Sequence, residues 1–234
     1  MSALCIGSMA PDTAFFVGLD LAREQTHGLA ALLMFCFPAG VLAYWLYHFL
    51  LKAPLLALLP DAVASKFGNG AMVREPWSAV LVSLLCSALT HLLWDAFTHP
   101  GTVVVNALPV LQAELGNVGG YRVYGFKVVQ HASSMLGLVL LGIWSSSWLR
   151  RSPAIPVARR HPISRARRIG VVAVLMGGPV LAGIYAGLQR RPLIANLADV
   201  QAFAAGFVFT ALPTAALLLV GFSALWHVRA RAQR

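Results

Sequence analysis

The sequence predicts an all-α membrane protein, a bundle of about five transmembrane helices with short interfacial helices. Three observations predict it. Of the 234 residues, 59% are hydrophobic and only 11% are charged, against roughly a quarter charged in soluble domains. The mean hydropathy is +0.74. The apolar residues also come in long blocks between short basic connections, an arrangement that a soluble core does not require. The length allows one domain, read as a single integral membrane domain over 1–234.

Taken in order, residues 1–10 have no basic n-region and only a short apolar run, so no cleavable signal peptide is expected. Five blocks are then long enough to cross ~30 Å of hydrocarbon at about 1.5 Å per residue. They fall at about 28–51, 77–98, 126–149, 169–188 and 200–226. Pro38 and Pro213 lie inside spans and are expected to kink them, which membrane helices tolerate. The connection 52–76 offers an interfacial helix near 55–64. The connection 100–125 offers another apolar piece at 103–115, closed by a Gly119-Gly120 turn. Trp77, Trp94, Trp144, Trp148 and Trp226 near the span ends read as an aromatic belt. No tandem repeat of solenoid period is present.

The net charge of +10 comes from 18 basic and 8 acidic side chains. Nucleic-acid binding is not expected, because no basic-aromatic surface stands outside the apolar blocks. The segment 150–168 holds seven arginines and no acid, which marks a cytoplasmic loop in contact with anionic lipid headgroups. Five spans then put the C-terminal tail (Arg229, Arg231, Arg234) and the loop with Lys52, Lys66 and Arg74 on that same side. The N-terminus, 100–125 and 189–199 fall on the opposite, outer side, where Arg190 and Arg191 count against the assignment, two against seven. The three cysteines, Cys5, Cys36 and Cys86, have no metal-site spacing and read as small buried hydrophobes.

Ionisable residues in or near spans are costly and call for a reason. His91, Asp95 and His99 stand at i, i+4 and i+8 and share one helix face, which Ser87 continues inward. His27 opens the first span after Thr26. His131 lies one turn into the third, with Lys127 one turn before it, and Asp12 follows Pro11. The threading set by the arginines collects all six imidazole and carboxylate groups at the outer membrane face. His48, near the inner end of the first span, reads as structural, and His161 and His227 sit in basic inner segments. Imidazoles and carboxylates together suit zinc, or manganese where carboxylates dominate. Such a metal acidifies a bound water, and a neighbouring histidine can move protons. A hydrogen bond that only locks helix packing is the competing reading of His91 and Asp95.

Certain strings carry a resemblance: Ile6-Gly7-Ser8-Met9-Ala10-Pro11-Asp12, Thr26-His27-Gly28, and His91-Leu92-Leu93-Trp94-Asp95-Ala96-Phe97-Thr98-His99-Pro100-Gly101. With Gln130-His131 in the stretch 121–137, they resemble the DUF-4184 family of uncharacterised bacterial membrane proteins over roughly 1–225. More distantly the pattern is similar to LexA-regulated inner-membrane metal-dependent hydrolases, matched at Asp12, His27, His91, Asp95 and Gly101. The family commonly begins with a further segment carrying a Ser-His pair, which this sequence does not show before Gly7-Ser8. If that histidine is a ligand, the set here lacks one member.

The resemblance implies a multi-pass protein of the bacterial cytoplasmic (inner) membrane with a metal site. The expected function is a metal-dependent hydrolase acting at the outer membrane face on a phosphoester or lipid-derived substrate. Asp12, His27, His91 and Asp95 are the expected metal ligands or their orienters, and His99 and His131 the expected proton-transfer groups. The alternative is a non-enzymatic membrane protein, a small transporter or an accessory scaffold, with structural His/Asp pairs. Nearly charge-free mid-spans count against a transporter.

Overall fold

The computed structural model describes residues 1–67, 75–155 and 163–232. Arg74, Arg159, Arg160, His161 and Arg234 lie outside the described residues. Five helices are long and apolar enough to cross a membrane: Leu29–Leu58, Trp77–Ala107, Gly125–Arg151, Arg165–Arg190 and Leu197–Ala232. They match the five predicted blocks, each extended by several residues, and their composition implies a lipid bilayer around the chain. No acidic side chain occurs in 125–151 or 165–190.

Prolines shape the first span. Two turns of it, Leu32–Cys36 and Tyr47–Leu51, are wound as π-helix. Pro38 and Pro54 follow them closely, and a proline has no N–H for the carbonyl four residues back. The Leu50 carbonyl freed by Pro54 is taken by His227 Nε2–H of the fifth span at 3.0 Å. His227 therefore ties the two spans together. Beyond Leu58 the chain turns extended at Leu59, as the residue before Pro60 favours. The interfacial helix expected near 55–64 is accordingly split. Its first half completes the span, and its second half is the short helix Asp61–Ala64.

The ends of the spans sort into two groups. At one end, Lys66 Nζ donates to the Ser152 carbonyl at 2.7 Å, and Ile155 N to the Ser65 carbonyl at 2.9 Å. Phe67 packs on Trp148 there, and Arg168 lies 3.6 Å from Asp61. The segments after the first and third spans and the start of the fourth thus meet, as the threading requires. The expected piece 103–115 forms helices Val103–Ala107 and Pro109–Gln112 at the other end. It then enters a β-hairpin absent from the sequence reading, β1 (Glu114–Val118) and β2 (Tyr121–Tyr124). Its two-residue loop is the predicted Gly119-Gly120 turn, at φ 59° and 87°, where two positive φ values favour glycine.

The largest departure is at the N-terminus. The reading that puts it wholly on the outer face is corrected: the apolar segment Ser2–Val17 packs among the spans. Its first helix, Ser2–Met9, lies against the second span, where Ala3 joins Tyr44, Val80 and Leu84 in a buried cluster. Ser2 Oγ is 3.0 Å from His48 Nε2, well past the middle of the first span. Gly7 permits the approach, since a Cβ there would collide with Ser87 Oγ and the Leu84 carbonyl. Small residues at this contact let backbones approach closely, as membrane helix pairs require. Of the cysteines only Cys36 is buried; Cys5 and Cys86 are exposed on outer helix faces, which corrects that expectation.

Candidate metal centre

Three segments distant in sequence supply the site. The N-terminal helix ends at Met9, and a 3-10 turn, Ala10–Asp12, follows with Pro11 near its start. Asp12 closes that turn. The short helix Arg23–His27 places His27 just before the first span. The second-span helix, Trp77–Thr98, carries His91 and Asp95, and His99 caps its end. Beneath them Ala10, Cys36 and Ala88 pack as a buried apolar floor. The Cys36 thiol donates to the Thr26 carbonyl at 3.1 Å, which ties the short helix that carries His27 to the first span.

The donor atoms of Asp12, His27 and His91 all lie within 4.8 Å of one another. His27 Nε2 is 3.4 Å from Asp12 Oδ1, and His91 Nε2 is 3.7 Å from Asp12 Oδ2. Asp95 Oδ2 stands 3.4 Å from His27 Nε2 and 3.7 Å from His91 Nε2. Donors around a tetrahedral zinc with bonds of about 2.0 Å are ~3.3 Å apart; the carboxylate–imidazole distances exceed that by a few tenths of an ångström, while the Asp12/His27/His91 set as a whole, bounded at 4.8 Å, closes further around an ion. The His27 side chain is 6% exposed and that of Asp12 39%, so the Asp12 side is the open one.

The outer nitrogens of both imidazoles are committed elsewhere. His91 Nδ1 is 2.6 Å from the Ser8 carbonyl. A carbonyl only accepts, so Nδ1 carries a proton and Nε2 is the nitrogen that faces the carboxylates. The Thr26 hydroxyl donates to the Arg23 carbonyl at 3.3 Å and accepts from His27 Nδ1 at 2.7 Å. Nε2 is thereby left facing inward on His27 as well. This is the outer-shell arrangement of metal-binding histidines. Two imidazole lone pairs against two carboxylates repel unless a positive charge lies between them, as protons on the rings or as a cation. Arg23 Nη2 supplies one such charge to Asp95 Oδ2 at 2.6 Å, and no lysine or arginine among the described residues pairs with Asp12.

The sequence strings and this geometry meet in one finding: the family model described as a domain of unknown function, DUF4184, matches residues 1–222. The chain belongs to the DUF4184 family. No curated protein and no solved structure matches it. No hydrolase is among the matches, and the case for chemistry rests on the residues of this DUF4184 chain.

Of the six residues expected at the site, four converge. A fifth, His99, joins through Asp95, with Nδ1 3.4 Å from Asp95 Oδ1. His131 does not join. It is exposed on the third span and shares no hydrogen bond, ion pair or ring contact with the cluster among the described residues. Its place one turn into that span fixes its level, not the direction its side chain takes. Sequence reasoning missed Arg23, Thr26 as orienter of His27, and the Ser8 carbonyl. Arg23 had a usable signal, standing one helical turn before His27 on the same face. The Ser8 carbonyl had none, because backbone acceptors leave no mark in composition.

Proposed function

We propose that this DUF4184 protein is a membrane-bound metal-dependent hydrolase that acts at the membrane surface on a phosphoester or lipid-derived substrate. The observation that carries the reading is the convergence of Asp12, His27 and His91 within 4.8 Å. These three hold a divalent metal, zinc or manganese, with Asp95 completing or orienting the set. A metal bound there supplies an acidified water. The chain's own residues do the rest. His27 and His91 are held with Nε2 inward by Thr26 and Ser8. His99 moves a proton beside Asp95. Arg23, one ion pair away and half exposed, presents a guanidinium to an anionic substrate. The position at the ends of two spans suits a substrate whose polar part lies at headgroup level.

The same reading takes 1–234 as one membrane domain in the bacterial inner membrane, with the arginine-rich segment and the C-terminus cytoplasmic. Anionic lipid headgroups then contact 150–168, as clustered arginines beside a span favour.

One observation favours a non-enzymatic scaffold: the Arg23–Asp95 pair already neutralises one carboxylate without a metal. Metal analysis of detergent-purified protein separates the two. The hydrolase reading expects near-stoichiometric zinc or manganese in the wild type and background levels in Asp12→Ala and His91→Ala. It expects His99→Gln to keep the metal and lose at least about a hundredfold in hydrolysis of a chromogenic phosphodiester, the low end for general acid-base groups. Equal, negligible metal in every sample would remove it.

A further inference from the structure

The fourth and fifth spans, Arg165–Arg190 and Leu197–Ala232, pack as an antiparallel pair whose two ends differ. At the connected end they are close. A Cβ at Gly187 would come within 2.6 Å of the Phe203 ring, and one at Gly206 within 2.9 Å of the Ala186 carbonyl. Pro179 and Pro213 lie midway along the two helices, where each removes a helical hydrogen bond and permits a change of direction. Just past them a Cβ at Gly178 would still come within 2.9 Å of the Leu218 side chain, and further on the helices separate. A Cβ at Gly170 or Gly221 would meet nothing within 4 Å.

The gap is a cavity of about 560 Å³. Val174, Leu218 and Phe222 wall it, Gly170 and Gly221 widen it, and Arg167 and Arg229 stand at its mouth, near the unconnected ends of the two helices. The two guanidiniums are exposed and have no ion-pair partner among the described residues. The neighbouring Arg168, by contrast, turns away to Asp61. A slot with apolar walls and two unneutralised cations at one mouth matches one kind of molecule, a chain of hydrocarbon ending in an anion.

We propose that this slot binds an anionic phospholipid, with one acyl chain between the two spans and the headgroup phosphate between Arg167 and Arg229. The occupant follows from charge complementarity. A zwitterionic lipid fills the same walls, but its choline or ethanolamine offsets its phosphate beside the arginines. The site is separate from the Asp12/His27/His91 centre and does not depend on it.

The test uses the whole protein in detergent, mixed with phosphatidylglycerol or phosphatidylcholine and analysed for retained lipid by native mass spectrometry. The wild type is expected to retain phosphatidylglycerol over phosphatidylcholine by about tenfold or more, as two arginines near an anionic headgroup favour. The double variant Arg167→Gln, Arg229→Gln is expected to lose that preference. Gly221→Leu, which fills the slot and leaves both arginines, is expected to lose most retention of either lipid. Equal retention of the two lipids by the wild type would overturn the proposal even if no variant folds. So would an unchanged preference in the double variant.

Discussion

The two ends of the chain use one packing device for opposite purposes. In the N-terminal part, Gly7 lets the helix Ser2–Met9 settle onto Leu84 and Ser87 of the second span. In the C-terminal part, Gly183 and Gly187 let the fourth span settle onto Phe207 and Phe203 of the fifth. In the first case, polar groups follow the close contact at once, with the Ser8 carbonyl, then Asp12 and His91 about one turn on. In the second, prolines follow and the helices part around an apolar slot. Close approach by itself therefore makes no centre. It makes one where the next turn carries donors and acceptors from both partners, since only then do unlike segments share charge in a low-dielectric place.

The sharpest way to break this contrast is Gly7→Val. Its side chain has no space against the Leu84 backbone, and overpacking of this kind costs about 1–3 kcal/mol or more. The N-terminal helix is expected to leave the second span and take the Ser8 carbonyl and Asp12 with it. Metal content should fall to background, and the thermal unfolding midpoint in detergent should fall with it. Gly142→Val is the matched control, because a Cβ there meets nothing within 4 Å. Equal behaviour of the two variants would show that the N-terminal helix does not organise the site.

A second, smaller effect separates the metal from the arginine as the source of positive charge. Asp95 is only 13% exposed, and Arg23 is its close partner. Arg23→Gln leaves that carboxylate short of a charged hydrogen bond, a loss of about 1–3 kcal/mol. The metal-free variant should therefore melt below the wild type. Added zinc should raise its midpoint more than it raises the wild type's, because Asp95 is then released toward His27 and His91. A variant that melts lower and gains no more from zinc would make Arg23 a structural partner only.

What the sequence made legible follows the physics of each level. Span number was readable, because hydrocarbon thickness acts over tens of residues, and an alternating thread of spans brings the connections after the first and third to the same end. Asp12, His27, His91 and Asp95 were readable as a group, because a helix face and a span end fix position to within a turn. The N-terminal helix was not readable. Residues 1–10 are too short to span, and their burial depends on Gly7 facing Ser87, a contact between segments some eighty residues apart. The hairpin Glu114–Tyr124 was missed for a related reason. Its turn is written in Gly119-Gly120, but its strands are short and mostly exposed, with no alternating apolar face to announce them.

His131 gives the smallest expected effect and the cleanest check of how far level alone predicts contact. It starts the third span at the height of the site, as Lys127 and Gln130 do, yet those two pair with each other at 2.9 Å and the imidazole stays exposed. An exposed histidine with no hydrogen bond or ion pair among the described residues contributes little to packing, so His131→Ala should leave the midpoint unchanged within about 0.5 kcal/mol. Metal content and phosphodiester hydrolysis should change by less than about twofold, under 0.4 kcal/mol at the usual tenfold per 1.4 kcal/mol. A tenfold loss of hydrolysis with metal retained would instead bring the third span into the reaction, and would mean that it rotates toward Asp95 and His99 when substrate arrives.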